Sequence, residues 1–534
     1  MRLKVNKLLS IEFTTGAIVP TVKMGLFPLD SVPGWSRYWG FISLLGCLLL
    51  SFQPQAIADP PKYYYDYTPN CSQAYKAYLA LRPNEGDAFI RKEIIAHPYN
   101  LMAIYMGDYG DFLTLVFNGD PYERTQRSDH ETSRLELLDK AGDEDPWKRL
   151  TLAGINMHWA IVHIRFGERF KAAMAFRRSY ILLKENARRF PKFAPNSILY
   201  GIEEAMAGTI PGGYKWLTNI LGLKGDLSSG MARLSNYLRA NPSAANPLQE
   251  EARIYDYYVR FYLGGAKTEV WQEAGNDAGF DIRNNLFRAF IRANLALSFR
   301  KADAAIAAMQ MAKSIPGADD YPVLDYELGS ALLLKLNPDC TTYLERFASR
   351  NKGKLFTKDA LQKAALAWYI KGNTTKANSC KMAISQQGSL VTDADIQAQR
   401  FSKEGRWPQP VLFQAKMLID GGYWNQALTI LHNTSAAAFS ELADQLQYHF
   451  SLGRALEEGG DNKQAVQFYQ LVINKGQNRS EDLAARAALQ MGGIYEHGKQ
   501  IPEAKRYYEL CLSMRDHDFQ NAIDQAAKAG LARL

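Results

Sequence analysis

Cysteine, long apolar runs, dense basic clusters and strand-like alternation are all scarce in this chain, and each scarcity removes a class of protein. Only 5 of its 534 residues are cysteine. None of Cys47, Cys71, Cys340, Cys380 and Cys511 has Cys-x-x-Cys spacing, which excludes a zinc ribbon and a paired redox site. Beyond residue 58 the four remaining cysteines read as small core residues packed between helices; one bridge stays open to them in an oxidising compartment. No segment reaches 18 uninterrupted apolar residues, so no span of the mature chain is expected to cross a membrane. The net charge is +8, but without a Lys/Arg stripe, so no nucleic-acid partner is expected. Sustained period-two alternation is missing, and sheet is therefore expected to be negligible.

What is present is a foldable composition, 47% hydrophobic and 22% charged, outside the range of disordered chains. The 29 Tyr and 25 Phe point to helices packed through large rings. The N-terminal part reads as an export signal. Arg37 precedes an apolar, uncharged stretch from Trp39 to Phe52, and Ala56-Ile57-Ala58 then supplies a small-residue cleavage site before Asp59. A helix of that apolar stretch rises about 21 Å, short of the roughly 30 Å of a bilayer core, so cleavage after Ala58 is favoured over an anchor. The basic flank lies far from Met1, and Met24 offers a second start. Leu44-Leu45-Gly46-Cys47 is a degenerate lipoprotein box, disfavoured because Leu45 is bulky and Leu48, Leu49 and Leu50 carry the apolar segment past Cys47.

The C-terminal third repeats itself. Gly492, Tyr495, Ala504 and Tyr508 have spacings of 3, 9 and 4 residues, and Gly453, Leu456, Ala465 and Tyr469 repeat them. Ala415, Leu418, Ala427 and Leu431 form a third unit, and Ala365, Trp368 and Ala377 a looser fourth. Turn residues sit between the two halves of each unit: His497-Gly498-Lys499, Gly459-Gly460-Asp461, Gly421-Gly422 and Gly372-Asn373. Pro502 suits the first turn of a second helix. Small residues where paired helices touch, with larger ones between neighbouring pairs, are the tetratricopeptide signature. The second-helix alanines lie 50, 38 and 39 residues apart, beyond the 34 of an unadorned repeat, so the links must be longer. Weaker units occur at Ala293, Ala305 and Met309, at Gly329 and Leu332, and at Ala160, Gly167, Ala172 and Phe176.

Residues 187–240 depart from this pattern. Pro191 and Pro195 break the chain after Phe190. A helix follows from about Ser197 and is interrupted by Gly208-Thr209-Ile210-Pro211; a further helix carries Gly230 and Leu234. The run FRRSYILLKEN, the Phe-Pro linker, the Gly-Thr-Ile-Pro ending, Tyr-Lys-Trp-Leu and the glycines at 222, 225 and 230 together resemble a group of secreted bacterial tetratricopeptide proteins of unassigned activity. More distantly, the stretch is similar to the eukaryotic tetratricopeptide repeat 39 family. The close resemblance covers roughly residues 95–240 and implies an adaptor role; it carries no functional residue across.

The remaining tempting residues read as structural. His158 and His163 are five apart, about 140° around a helix, whereas a shared ion needs three or four; a partly buried core histidine is the expectation. Asp108, Asp111 and Asp120 lie near glycines without the ligand order of a calcium loop, so turns and helix caps are expected. Gly142-Asp143-Glu144-Asp145-Pro146 reads as a solvated turn opening a helix. Ser228-Ser229-Gly230 lacks the strand of a nucleophile elbow, and the nearby glycines lack the Lys-Ser/Thr of a phosphate loop. Tyr63–Tyr67 is expected to pack across the first helix pair rather than reach out as an arm.

The expected architecture is therefore all-α: a tetratricopeptide-like α-solenoid of antiparallel helix pairs, with some 16–20 helices. Its organisation is a signal peptide over 1–58, a helical repeat region over 59–186, the modified segment 187–240, divergent repeats over 241–350, and tetratricopeptide repeats over 351–534. The expected function is a non-catalytic exported scaffold, periplasmic or at the cell surface, holding a protein or peptide partner in a groove and needing no metal or cofactor. The alternatives are a subunit of an envelope nutrient-uptake assembly, associated with an outer-membrane complex, and a hydrolase with its site near 187–240. Intact mass and N-terminal sequencing of the protein from its native envelope are expected to read a free N-terminus at Asp59; a lipidated Cys47 would overturn that cleavage site and make a membrane-attached assembly subunit the leading reading.

Overall fold

Where the first helix of the last repeat crosses the second, Gly492 lies against the ring of Tyr508: a Cβ on the glycine would stand 2.6 Å from the ring carbons. Gly453 meets Tyr469 in the same way, at 2.8 Å. The small residue admits the ring and the ring fills the gap, which is the physical content of the spacing seen in the sequence. Ala293, Ala305, Ala365, Ala377, Ala415, Ala427, Ala465 and Ala504 are all completely buried, each at a place where a larger side chain would push two helices apart.

The computed structural model describes residues 62–209, 224–241, 248–277 and 280–534. The export segment, Met24, Cys47 and the stretch from Ile210 to Leu223 lie outside the described residues. Helices α1 (Pro69–Leu79) and α2 (Pro83–Ala96) pair, and α3 (Leu101–Asn118) packs on both. Two short helices, α4 (Pro121–Gln126) and α5 (His130–Leu138), lead to the long pair α6 (Pro146–Arg165) and α7 (Arg169–Arg189). Next come α8 (Asn196–Gly208) against α9 (Leu227–Ala240), then α10 (Gln249–Tyr262) with α11 (Lys267–Asn276). The pairs α12 (Leu286–Ser298) and α13 (Ala302–Lys313), α14 (Val323–Leu334) and α15 (Cys340–Arg350), and α16 (Thr357–Ile370) and α17 (Thr374–Gln386) follow. After α18 (Asp393–Lys403) come α19 (Pro410–Gly421) with α20 (Trp424–His432), α21 (Leu442–Glu458) with α22 (Asn462–Gly476), α23 (Leu483–His497) with α24 (Ile501–Ser513), and finally α25 (Gln520–Arg533). Short turns between touching neighbours make the pairs antiparallel.

The count among the described residues exceeds the 16–20 helices expected, because short helices are inserted between repeats. One of them, α18, accounts for the 50-residue spacing: it packs on α16 and α17 between two repeat units. Another pair, α4 and α5, bridges α3 to α6. Capping follows the sequence signals. Pro502 stands in the first turn of α24, Asn373 accepts the Lys376 N–H at the start of α17, and Asp145 accepts the Trp147 N–H where α6 begins at Pro146. Gly460 takes the left-handed turn position at φ +87°; in the last unit Lys499, not Gly498, takes it, at φ +56°. Among the described residues no strand forms, and one isolated bridge joins Tyr64 to Asn100.

The modified segment is held by backbone contact. A Cβ on Gly230 would stand 2.5 Å from the Gly201 carbonyl oxygen, and one on Gly201 would stand 2.9 Å from that of Gly230. Helices α8 and α9 thus touch main chain to main chain, closer than any side chain allows. The last helix then returns to this place. Ala529 packs with Ile202, Leu227, Leu234, Val259 and Leu263, and Arg533 donates to the Leu263 carbonyl at 2.7 Å while pairing with Glu496. That part of α8–α10 is covered by the chain itself and is not free for a partner. The tyrosine-rich segment packs as expected: Tyr63, Tyr65 and Tyr67 lie on the core, and Tyr64 exchanges main-chain hydrogen bonds with Tyr99 and Leu101. Among the described residues no helix is long and apolar enough to cross a membrane.

Two adjacent glycines separate packing from propensity. Gly492→Ala is expected to lower unfolding stability by about 1–3 kcal/mol through overpacking on Tyr508. Gly493, whose Cβ would find only the Tyr508 hydroxyl at 3.9 Å, is expected to gain about 0.5–1 kcal/mol as alanine. Denaturant titration of the two variants checks both signs.

Candidate interaction surface and buried polar clusters

The first cluster lies where α3, α5 and α6 meet. Asp108 is completely buried in the middle of α3. One carboxylate oxygen faces His158 Nδ1 at 2.8 Å; the other accepts from Trp159 Nε1 at 3.0 Å and from Arg134 at 2.9 Å. Burial raises its pKa, but the His158 hydrogen bond and the Arg134 charge outweigh burial and hold it below the usual carboxylate value. Asp111, one turn on, accepts from Arg127 at 2.8 Å and meets His130 at 2.6 Å and Arg134 at 2.6 Å. Two carboxylates and two guanidinium groups therefore balance inside one network. This corrects the expectation of turns and caps: Asp108 and Asp111 are helix-interior charges, and only Asp120 is a cap, accepting the Tyr122 N–H at 3.0 Å.

His158 and His163 go to different partners, as their angular separation requires. His163 lies between Glu168 (2.5 Å) and Glu131 (3.2 Å). His158 is not partly but wholly buried. Its second nitrogen meets no hydrogen-bonding partner, because the ring is stacked on Phe112 at 4.4 Å and edged by Tyr109 at 4.5 Å. The His158–Asp108 pair joins α6 to α3, and no hydroxyl or thiol lies within hydrogen-bond distance of the second nitrogen.

Two further clusters were not visible as clusters in the sequence. Tyr109 and Tyr255 both donate to Glu251, at 2.6 and 2.5 Å. Nearby, Ser179 donates to Glu203 at 2.5 Å, and burial raises the Glu203 pKa well above the carboxylate range. The other joins α14, α16 and α18: Lys363 donates to Tyr326 at 2.7 Å and to Asp359, while Asp395 accepts the N–H groups of Phe356 (2.8 Å) and Asp359 (3.2 Å) and the Thr392 hydroxyl (2.6 Å). Apart from Tyr255 and Phe356, which are half-buried, the residues of these clusters are buried. Ser228 and Ser229, by contrast, are exposed in the first turn of α9, where Asp226 caps the Ser229 N–H.

A different arrangement appears at the helix ends. Four connections that are far apart in the chain meet: the one after α3 (Gly119, Asp120), the one after α6 (Gly167), the one between α15 and α16 (Lys352, Gly353), and the one between α17 and α18 (Leu390, Val391). Lys352 pairs with Asp120 at 2.8 Å, a Cβ on Gly353 would stand 2.5 Å from the Gly119 carbonyl oxygen, and one on Gly167 would stand 3.3 Å from Val391. Large apolar side chains are exposed on or just beyond these connections: Leu390 is 53% exposed, and Tyr122 in the first turn of α4 and Phe170 in the first turn of α7 are 67% and 69% exposed. A shallow cavity of about 510 Å³ lies elsewhere, lined by Gln477, Arg479, Leu510, Met514 and Arg515 among others. Its arginines are already paired, with Glu481 and Asp524, and its walls are more polar than those of an ordinary ligand pocket.

No family model matches the chain, and no curated protein matches it; the resemblance of residues 95–240 rests on those residues alone. Among solved structures, the human IFIT1 dimer with m7Gppp-AAAA is similar at 12% identity, covering 84% of this chain and 90% of that one, with a TM-score of 0.30. Yeast Tom70 is similar at 12% identity, covering 82% and 91%, with a TM-score of 0.31. The apo form of the quorum sensor NprR from B. thuringiensis is similar at 10% identity, covering 76% and 97%, with a TM-score of 0.26. Likenesses at this level add nothing to what the helix pairs themselves define: an all-α, tetratricopeptide-like solenoid of antiparallel helix pairs.

Asp395 makes the fold sensitive to pH. Burial, together with the charge of Asp359, pushes its pKa up from 3.8 to about 6, against the pull of its hydrogen bonds. The folded state thus holds this proton more tightly than the unfolded chain does. Its contribution to stability is fully present below about pH 3.8 and is lost as pH rises through about 6, by roughly 2–3 kcal/mol in total. Urea titrations of the wild type and Asp395→Asn across that window are expected to show the decline only in the wild type, after subtraction of the background common to both.

Proposed function

We propose that this protein is an exported, non-catalytic scaffold that holds a protein or peptide segment on the surface where its inter-helix connections converge. The observation that carries this reading is the exposure of Leu390 on one of the connections that meet in space, and of Tyr122 and Phe170 in the first turns of the helices that follow two others. Large apolar side chains held in water at and beside the connections of a rigid helical support are the usual material of a docking surface. The buried clusters support the same reading from the other side. The His158–Asp108 and Lys363–Asp359–Tyr326 groups satisfy one another inside the core, where they staple helices. Export rests on the segment from Arg37 to Asp59 and is tested by the N-terminal measurement above. No metal or cofactor enters the proposal.

Photocrosslinking tests the surface. A benzophenone side chain placed at Phe170 or at Leu390 of the full chain in its own cells is expected to give the same partner adduct. One placed at Ile95, which is 83% exposed on α2, is expected to give none. Equal adducts at all three positions, or adducts at none, would count against this surface.

A further inference from the structure

The end of α2 carries an exposed apolar patch that the scaffold reading does not use. The helix packs on α1 and α3 through its buried residues Gly86, Ile90 and Glu93, and Glu93 accepts from Thr68 at 2.7 Å, Asn70 at 3.1 Å and Asn100 at 2.8 Å, where those two helices begin. The rest of its last turn faces water: Ile95 is 83% exposed and Ile94 41%. Tyr99, just past the helix, is 41% exposed, and Tyr64, fastened beside it by main-chain hydrogen bonds to Tyr99 and Leu101, is 37% exposed. Cations surround these side chains. Arg91 and Lys92 stand four and three residues before Ile95, on the same helix face, and both are exposed. Lys62 is exposed two residues before Tyr64. Lys140 lies 5.6 Å from the ring of Tyr63, which stands 5.7 Å from that of Tyr99. Among the described residues none of these four cations pairs with a carboxylate. The acids nearby are Asp66, exposed two residues after Tyr64, and Asp87, one turn before Arg91, whose carboxylate accepts the Tyr78 hydroxyl at 2.7 Å. The patch is thus apolar and aromatic at its centre and positive around it.

We propose that this patch docks the protein on an anionic lipid surface. Ile95 enters the acyl boundary, Tyr64 and Tyr99 sit at the level of the headgroups, and Arg91, Lys92, Lys62 and Lys140 are drawn to the lipid phosphates. Charge selects this occupant. A second copy meeting the face by a two-fold contact would set Arg91 and Lys92 of each copy against those of the other. Lysine is also scarce at the dry centre of protein interfaces. A protruding isoleucine needs a matching pocket on a protein, whereas a fluid bilayer accepts it anywhere. So few apolar side chains with a cationic rim give an attachment that is weak, reversible and sensitive to salt.

The test is co-sedimentation of the protein, as recovered from its own cells, with vesicles of phosphatidylcholine alone and with vesicles containing about one third phosphatidylglycerol. At an ionic strength of about 0.1 M the anionic vesicles are expected to bind at least about tenfold tighter, and about 0.5 M salt is expected to remove most of that difference. Replacing Arg91 and Lys92 together by Gln is expected to weaken binding to the anionic vesicles about tenfold or more. Ile95→Ser is expected to weaken it by about tenfold. Met382→Ser, at an exposed apolar side chain on α17, is expected to leave it unchanged. Equal binding to the two kinds of vesicle, or unchanged binding in either the Arg91/Lys92 or the Ile95 variant, would overturn the proposal. A second measurement does not depend on removing a side chain. A benzophenone side chain at Ile95, illuminated on the anionic vesicles, is expected to give a phospholipid adduct by intact mass. No lipid adduct there, or a protein adduct at Ile95 in cells, would also overturn it. Loss of lipid binding leaves the scaffold reading standing, because the adducts at Phe170 and Leu390 are measured separately.

Discussion

The structure depends on how closely two helices can approach when the residue between them is small. A glycine or alanine at the crossing lets a tyrosine or leucine from the partner helix lie flat on the backbone, and the pair then buries its apolar stripe with few voids. Gly492 with Tyr508 and Gly453 with Tyr469 show the contact directly, and the buried alanines of the other units occupy the same place. A repeat made this way has no core of its own; each pair is completed by its neighbours, so stability is distributed along the stack. Gly201 and Gly230 carry the principle to its limit, where the two backbones meet with nothing between them.

Polar groups inside such a stack must be answered one for one. Asp108 and Asp111 are answered by Arg134, Arg127 and two histidines, Asp359 by Lys363 and Tyr326, and Glu251 by two tyrosines. Breaking one partner of such a set leaves a buried charge without compensation, which makes these clusters specific about which helix may sit beside which. Arg165 is held differently: its Nε donates to the Val116 carbonyl, Gly119 and Gly353 make room for its guanidinium, and Asp395 is the charge that acts on it.

The function proposed for this architecture belongs to surfaces rather than to a pocket. The inserted helices α4, α5 and α18 lengthen the repeats, and the connections beside them bring Gly119, Gly167, Lys352 and Val391 into one neighbourhood. A surface assembled from connections more than 200 residues apart exists only in the folded chain. Meanwhile the return of α25 onto α8–α10 occupies one stretch of surface with the chain's own residues.

The sequence by itself determined whatever depends on local spacing. The 3, 9 and 4 pattern of Gly492, Tyr495, Ala504 and Tyr508 located a helix pair because side chains at those intervals share a helix face. Pro502, Asn373 and Asp145 marked helix starts because capping is chemistry within one turn. Pro191 marked the end of α7 because proline cannot continue the hydrogen-bond ladder, and Pro195 stands at the start of α8. Tertiary structure alone decided which distant residues meet. Asp108 read as a turn residue because its neighbours Gly107 and Gly110 are turn formers in isolation; the apolar environment of α3 and a partner 50 residues away at His158 made it a core charge. His158 was legible as buried, but not as the companion of that carboxylate. Arg165 carried no local mark at all, since an arginine at a helix C-terminus is ordinary, and only the approach of Gly353 from nearly 190 residues further on buries it.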